Sequence, residues 1–141
     1  MRLREVDDAD LDSLFEQQAD PACYEPAGLP PRDRAAFDAH WARIRSDPAV
    51  TIRTIDVDGR VAGHVLSFAR EDSRLAGYWL AREFWGRGLA TEALARLLAI
   101  DTHRPLVAEV ATNNIGSIRV LEKNGFRLLR ELPDGYAYEL L

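Results

Sequence analysis

The chain has 141 residues, 47% of them apolar, 29% charged, and a formal net charge of −5; that length suits one domain, 1–141, with a core that needs no staples. No apolar run nears the ~20 residues of a membrane helix, and the acidic balance opposes nonspecific nucleic-acid binding, so neither a membrane nor a nucleic acid is expected as partner. Cys23 stands alone and cannot form an internal disulfide, acidic residues from Glu5 on leave no signal-peptide pattern, and three His with one Cys make a metal site unexpected; the expectation is a cytoplasmic protein.

Arg2 to Val6 reads as a short strand. Asp7, Asp8 and Asp10 then mark a helix start, since Asp caps well and its charge suits the helix dipole. Leu11, Leu14, Phe15 and Gln18 share one face of the helix that follows. The acidic run reads as a solvated, capped helix end or as an attractor for a cationic amine. Asp20 to Pro31 holds four prolines and a glycine, so a loop is expected, carrying Cys23, Tyr24, Glu25 and Leu29.

Arg32 to Ser46 is a second helix, with Phe37, Trp41 and Ile44 at core spacing and His40 facing solvent. Val50 to Val57, an Asp58-Gly59 hairpin turn, Val61 to Phe68, a turn at Glu71 to Ser73, and Leu75 to Ala81 form an antiparallel meander. A long helix with Leu89, Ala90, Ala93, Leu94, Leu97 and Leu98 on one face follows. Pro105 breaks the chain before a buried strand, Leu106 to Ala111. Asn114 caps a short helix running to Asn124, with Ile115, Ile118 and Leu121 inward, and Gly125 takes the left-handed position after it. Phe126 to Leu132 and Tyr136 to Leu141 close the chain as a hairpin around Pro133-Asp134-Gly135. The order β-α-α-β-β-β-α-β-α-β-β gives an α/β (α+β) fold, a mixed, mostly antiparallel sheet flanked by helices. The strand–helix–strand unit over residues 77 to 111 should be a right-handed parallel crossover.

The chemistry concentrates in Phe84-Trp85-Gly86-Arg87-Gly88-Leu89-Ala90-Thr91-Glu92-Ala93, between a strand and a helix start. Gly86 and Gly88 let an anion approach the main chain, and the first helical N–H groups lack helical partners. A phosphate or pyrophosphate cradle fits this; so does a tight turn without ligand. A P-loop would need Lys-Ser or Lys-Thr where Leu89-Ala90 stand, and a dinucleotide loop lacks its downstream acid. Arg87 supplies a cation within the loop.

With Asn114-Ile115-Gly116-Ser117 and Glu122-Lys123-Asn124-Gly125-Phe126 downstream, the stretch resembles the GNAT superfamily of acyl-CoA-dependent N-acetyltransferases. Gly88 and Ala90 match fixed places of its pyrophosphate loop. Trp85 replaces the usual Arg or Gln, and with Tyr78-Trp79-Leu80 and Ala90-Thr91-Glu92-Ala93 it is similar to the branch of ribosomal-protein N-terminal acetyltransferases. The first 50 residues carry no such motif.

The resemblance implies acetyl-CoA as co-substrate and a primary amine, of a small molecule or a protein N-terminus, as acceptor. It places CoA on the Trp85, Gly86, Arg87, Gly88, Leu89, Ala90 and Thr91 backbone, on the Trp79-Leu80 strand edge, and on Asn114 and Ser117. The Leu80 N–H faces the acetyl carbonyl. It gives Glu109 as general base, His64 as second choice, and Ser117 as proton donor to the departing thiolate, because Leu121 stands where many members carry Tyr. Tyr136 and Tyr138 are remoter candidates for that donor. A non-catalytic acyl-CoA binding module and a nucleotide-binding regulator are the other readings of the same loop.

Overall fold

A computed structural model describes residues 1–27 and 30–141. Its strands are β1 (Arg2–Arg4), β2 (Thr51–Val57), β3 (Arg60–Arg70), β4 (Ser73–Leu80), β5 (Leu106–Ala111), β6 (Arg127–Leu132) and β7 (Gly135–Leu140). Its helices are α1 (Leu11–Gln18), α2 (Pro21–Ala27), α3 (Arg34–Ser46), α4 (Leu89–Ile100) and α5 (Ile115–Lys123), with single 3-10 turns at Asp8–Asp10 and Arg82–Phe84. One sheet holds all seven strands in the order β1-β2-β3-β4-β5-β7-β6. Every pairing is antiparallel except β4 with β5. This is the mixed, mostly antiparallel α/β architecture that the element order implies.

The local reasons are legible residue by residue. β-Branched residues fill β2, and the turn to β3 uses left-handed Asp58 (φ 52°) and Gly59 (φ 83°), the geometry a two-residue hairpin requires. Alternation then sends the two sides of the sheet to different partners. Val65, Ala76, Leu106, Ala108 and Val110 pack with Leu94, Leu97 and Leu121 of α4 and α5. Ile52 and Leu66 pack on the other side with Leu14, Phe37 and Trp41 of α1 and α3.

Four expectations need correction. Pro21 to Ala27 is helical, not loop. Proline is tolerated in a first helical turn, where no N–H is needed, and the Asp20 carboxylate accepts the Ala22 N–H at 3.0 Å as a cap; Leu29 of the expected loop lies outside the described residues. Asp10 is not solvated: it is 3% exposed, held by Arg4 at 2.8 Å and by the Thr54 hydroxyl at 2.9 Å, while Asp7 does the capping. His40 is half-buried, its Nδ1 within 2.9 Å of Arg43. Ile115 is exposed rather than inward.

Candidate active-site cleft

The parallel β4–β5 pairing rests on one matched pair, Leu75 with Val107. Beyond it no further β4–β5 pair forms, and a cleft of about 700 Å³ runs along the end of β4, from Tyr78-Trp79-Leu80 to the turn before α4, with the Asn113-Asn114 segment that follows β5 and helix α5 across from it. The Ala81 N–H bonds the Ala62 carbonyl at 2.8 Å. Antiparallel ladders alternate, so Leu80, opposite Gly63, turns its main-chain groups away from β3 and toward the cleft. Its carbonyl accepts the Trp85 indole N–H at 2.8 Å and lies 3.7 Å from the Cys23 sulfur. Trp85, in the position of the family's Arg or Gln, thus ties the glycine turn back to the end of β4.

Gly86 (φ 75°) and Gly88 (φ 72°) both occupy the left-handed region, and a Cβ at either would meet nothing within 4 Å. The turn is therefore open rather than sealed under side chains. Gly88 is the N-cap of α4 without a side-chain cap, and the first helical bond runs from the Glu92 N–H to the Gly88 carbonyl at 3.1 Å. The N–H groups of Leu89, Ala90 and Thr91 precede that bond and carry the positive end of the α4 dipole. Gly86, Gly88, Leu89, Ala90 and Thr91 all line the cleft.

The opposite wall is α5. Asn114 caps it, its side-chain oxygen accepting the Ser117 N–H at 3.3 Å. Ser117 Oγ lies 2.6 Å from the Tyr78 hydroxyl. Burial pushes the Tyr78 phenol above its ordinary pKa, against the opposing pull of the Ser117 bond, so it stays protonated at neutral pH. Ile115, Arg119 and Lys123 follow at four-residue spacing and line the cleft as one stripe, which is why Ile115 is exposed. Arg119 and Lys123 form no ion pair among the described residues. They put cationic charge beside the α4 N-terminus.

Ten residues assigned to CoA from sequence thus meet in one cleft: Trp79, Leu80, Trp85, Gly86, Gly88, Leu89, Ala90, Thr91, Asn114 and Ser117. Three assigned residues do not. The Arg87 side chain lies 5.6 Å over the ring of Phe84, a residue that lines the cleft, and is not itself part of the lining. His64 packs edge-on against Trp41 at 4.9 Å, its Nδ1 buried without a partner. Desolvation lowers its pKa to about 4, which removes it as a base for an amine. Glu109 lies on the sheet face that carries α1 and α3, not in the cleft, and pairs with Arg70 at 2.8 Å. Tyr136 and Tyr138 are outside the cleft as well, Tyr138 within the core and Tyr136 packed against it. Tyr24 and Glu25 do not line it, whereas Ala22, Cys23 and Pro26 of α2 do.

Sequence reasoning missed Tyr78, Arg119 and Lys123. The two cations were findable from their four-residue spacing after Asn114. Tyr78 was not, because only the fold brings β4 opposite Ser117.

A free strand end leading to a glycine turn and a helix N-terminus defines a cleft for an elongated anionic ligand. The family profile of the Acetyltransferase (GNAT) domain matches residues 1–127, so it includes the first 50 residues that lacked a motif. The chain therefore belongs to the GNAT acetyltransferases, acetyl-CoA-dependent N-acetyltransferases. None of the curated proteins compared with the sequence matches it.

Solved structures share the fold. A ribosomal-protein-alanine N-acetyltransferase from Brucella melitensis is 18% identical, with a TM-score of 0.85 over 100% of this chain and 99% of that one. A spermidine N-acetyltransferase from Vibrio cholerae, in complex with CoA and spermine, is 17% identical, with a TM-score of 0.83 over 98% and 92%. An aminoglycoside acetyltransferase in complex with coenzyme A is 24% identical, with a TM-score of 0.78 over 97% and 91%. Among the described residues, no helix is long and apolar enough to cross a membrane.

Proposed function

We propose that this chain moves the acetyl group of acetyl-CoA directly onto a primary amine, with both substrates bound at once. The observation that carries this is the joining of the open Gly86–Thr91 turn to the free end of β4, Tyr78-Trp79-Leu80, in a single cleft. The diphosphate sits on the Gly86 to Thr91 amides, and Arg119 and Lys123 supply cationic charge nearby. The pantetheine arm lies along the free edge of β4, exchanging main-chain hydrogen bonds as an added strand would. Asn114 holds α5 against it. The Leu80 N–H receives the charge that develops on the acetyl oxygen.

The acceptor enters from the face of the sheet that carries α1 and α3, so that the two substrates meet at the free end of β4. Glu109 lies on that face and is the carboxylate we assign to take the amine proton; an alkylammonium, with pKa ~10, must lose one before it attacks. The acceptor class is a small-molecule amine or a protein N-terminus, and the loop wording around Trp85 favours the ribosomal-protein branch. A lone cysteine suits a cytoplasmic setting.

The test is thiol release from acetyl-CoA across a panel of peptides with free N-termini, polyamines, amino acids and aminoglycosides. Turnover with one of these classes is expected, and Glu109→Gln should cut kcat about 100-fold with little change in the KM for acetyl-CoA. Tight acetyl-CoA binding with no turnover on any class would favour the non-catalytic binding module.

A further inference from the structure

We propose that Tyr78, from the sheet, is the group that hydrogen-bonds and protonates the departing coenzyme A sulfur. This rests on the acyl-CoA reading above. Leu121 is buried in the core, so that position of α5 offers no hydroxyl to the cleft. Tyr78 reaches Ser117, one turn before Leu121 on α5, from the opposite wall. Its hydroxyl and Ser117 Oγ are 2.6 Å apart, and both residues line the cleft. Tyr78 is two residues before Leu80 on β4, about 7 Å along the strand, so its side chain leaves the same face of the strand one repeat before the Leu80 N–H assigned to the acetyl carbonyl. The rest of the ring is packed against the Leu94–Leu97 core, which fixes where the hydroxyl points. Ser117 has the α5 N-terminus behind it and can take either role in the shared hydrogen bond.

The step balances. The amine nitrogen bonds to the acetyl carbon, and collapse of the adduct breaks the C–S bond with its electron pair on sulfur. Sulfur takes the Tyr78 phenolic proton. The phenolate recovers a proton from the Ser117 hydroxyl, which is refilled by water, while Glu109 passes the proton taken from the amine to solvent. The products are an amide and a neutral thiol.

The test titrates the thiol of CoA bound to the protein, by its thiolate absorbance against pH, and needs no acceptor. A phenol that donates to sulfur stabilises the thiolate. Tyr78→Phe should therefore raise the bound thiol pKa by about one unit, a roughly tenfold loss of thiolate at a fixed pH below it. Ser117→Ala leaves the phenol at the sulfur and should shift it less. Matching titrations for wild type and Tyr78→Phe overturn the proposal. So does a shift in Ser117→Ala with none in Tyr78→Phe, which would make serine the donor. Failure of the wild type to bind CoA overturns the acyl-CoA reading itself.

Discussion

Gly63 shows how much one missing Cβ can decide. A side chain there would come within 1.9 Å of the Trp79 carbonyl oxygen, a backbone atom that cannot yield without moving β4. Gly63→Ala should cost about 1–3 kcal/mol or more and loosen the Leu80 end of the cleft, so that the melting temperature and acetyl-CoA affinity fall together. His64, on the same strand, acts through protons. Desolvation lowers its folded pKa to about 4, while in the unfolded chain it titrates near 6.5. The unfolded state binds the extra proton between those values, so its contribution is complete above about pH 6.5 and lost as pH falls toward 4. The loss is on the order of 3 kcal/mol. Half-buried His40 is shifted the same way by desolvation and by Arg32 and Arg43, and adds to the same slope. Denaturant titrations of wild type and His64→Leu across this range should show a shallower slope in the variant.

At the scale of elements, α5 serves both fold and site. Asn114→Ala removes the cap on the Ser117 N–H and should cost about 1 kcal/mol of stability, with weaker acetyl-CoA binding because the first turn that frays, Ile115 to Ser117, lines the cleft. Strands and long helices were readable from the sequence because their periodicity is local: β5 and the Asn114-capped helix fall where alternation and capping put them. The α2 helix was not readable, since proline content argues against helix unless one knows that Pro21 sits in the first turn and Asp20 caps it. The same divide runs through the site. The glycine turn is contiguous in sequence and announces itself. Alternation along β5 already set Glu109 opposite Leu106, Ala108 and Val110, but the burial of His64 and the meeting of Tyr78 with Ser117 depend on which strands neighbour one another, and no spacing records that.

Across the whole molecule, the sheet is pinned away from the cleft by a buried carboxylate. Asp101, just past α4, is 3% exposed and accepts from Ser67 Oγ at 2.5 Å, Arg74 Nε at 2.6 Å and the His103 N–H at 3.0 Å. Desolvation alone would raise its pKa, but these bonds outweigh it and hold the carboxyl far below the ordinary carboxylate range. Its contribution is present above about pH 4, the unfolded value, and declines below it. Acid unfolding should therefore run in two stages, histidine first and Asp101 after. Asp101→Asn should shrink the second stage, which Asp10 and Asp56 share because Arg4 lowers their pKa values as well, and should cost about 3–5 kcal/mol at neutral pH, because Arg74 is left half-buried beside a neutral amide. The cleft lies at the other end of β4, so acetyl-CoA affinity per folded molecule should change little.

The central claim is that the exposed main chain between Gly86 and Thr91 grips the coenzyme A diphosphate. Calorimetric titration of acetyl-CoA into wild type and Gly88→Trp, with melting curves to confirm that both are folded, tests it directly. The wild type should bind, and the folded variant should bind about 100-fold more weakly, a loss of ~2.7 kcal/mol. A wild type that binds no acetyl-CoA, or a folded Gly88→Trp that binds it equally well, would contradict the account.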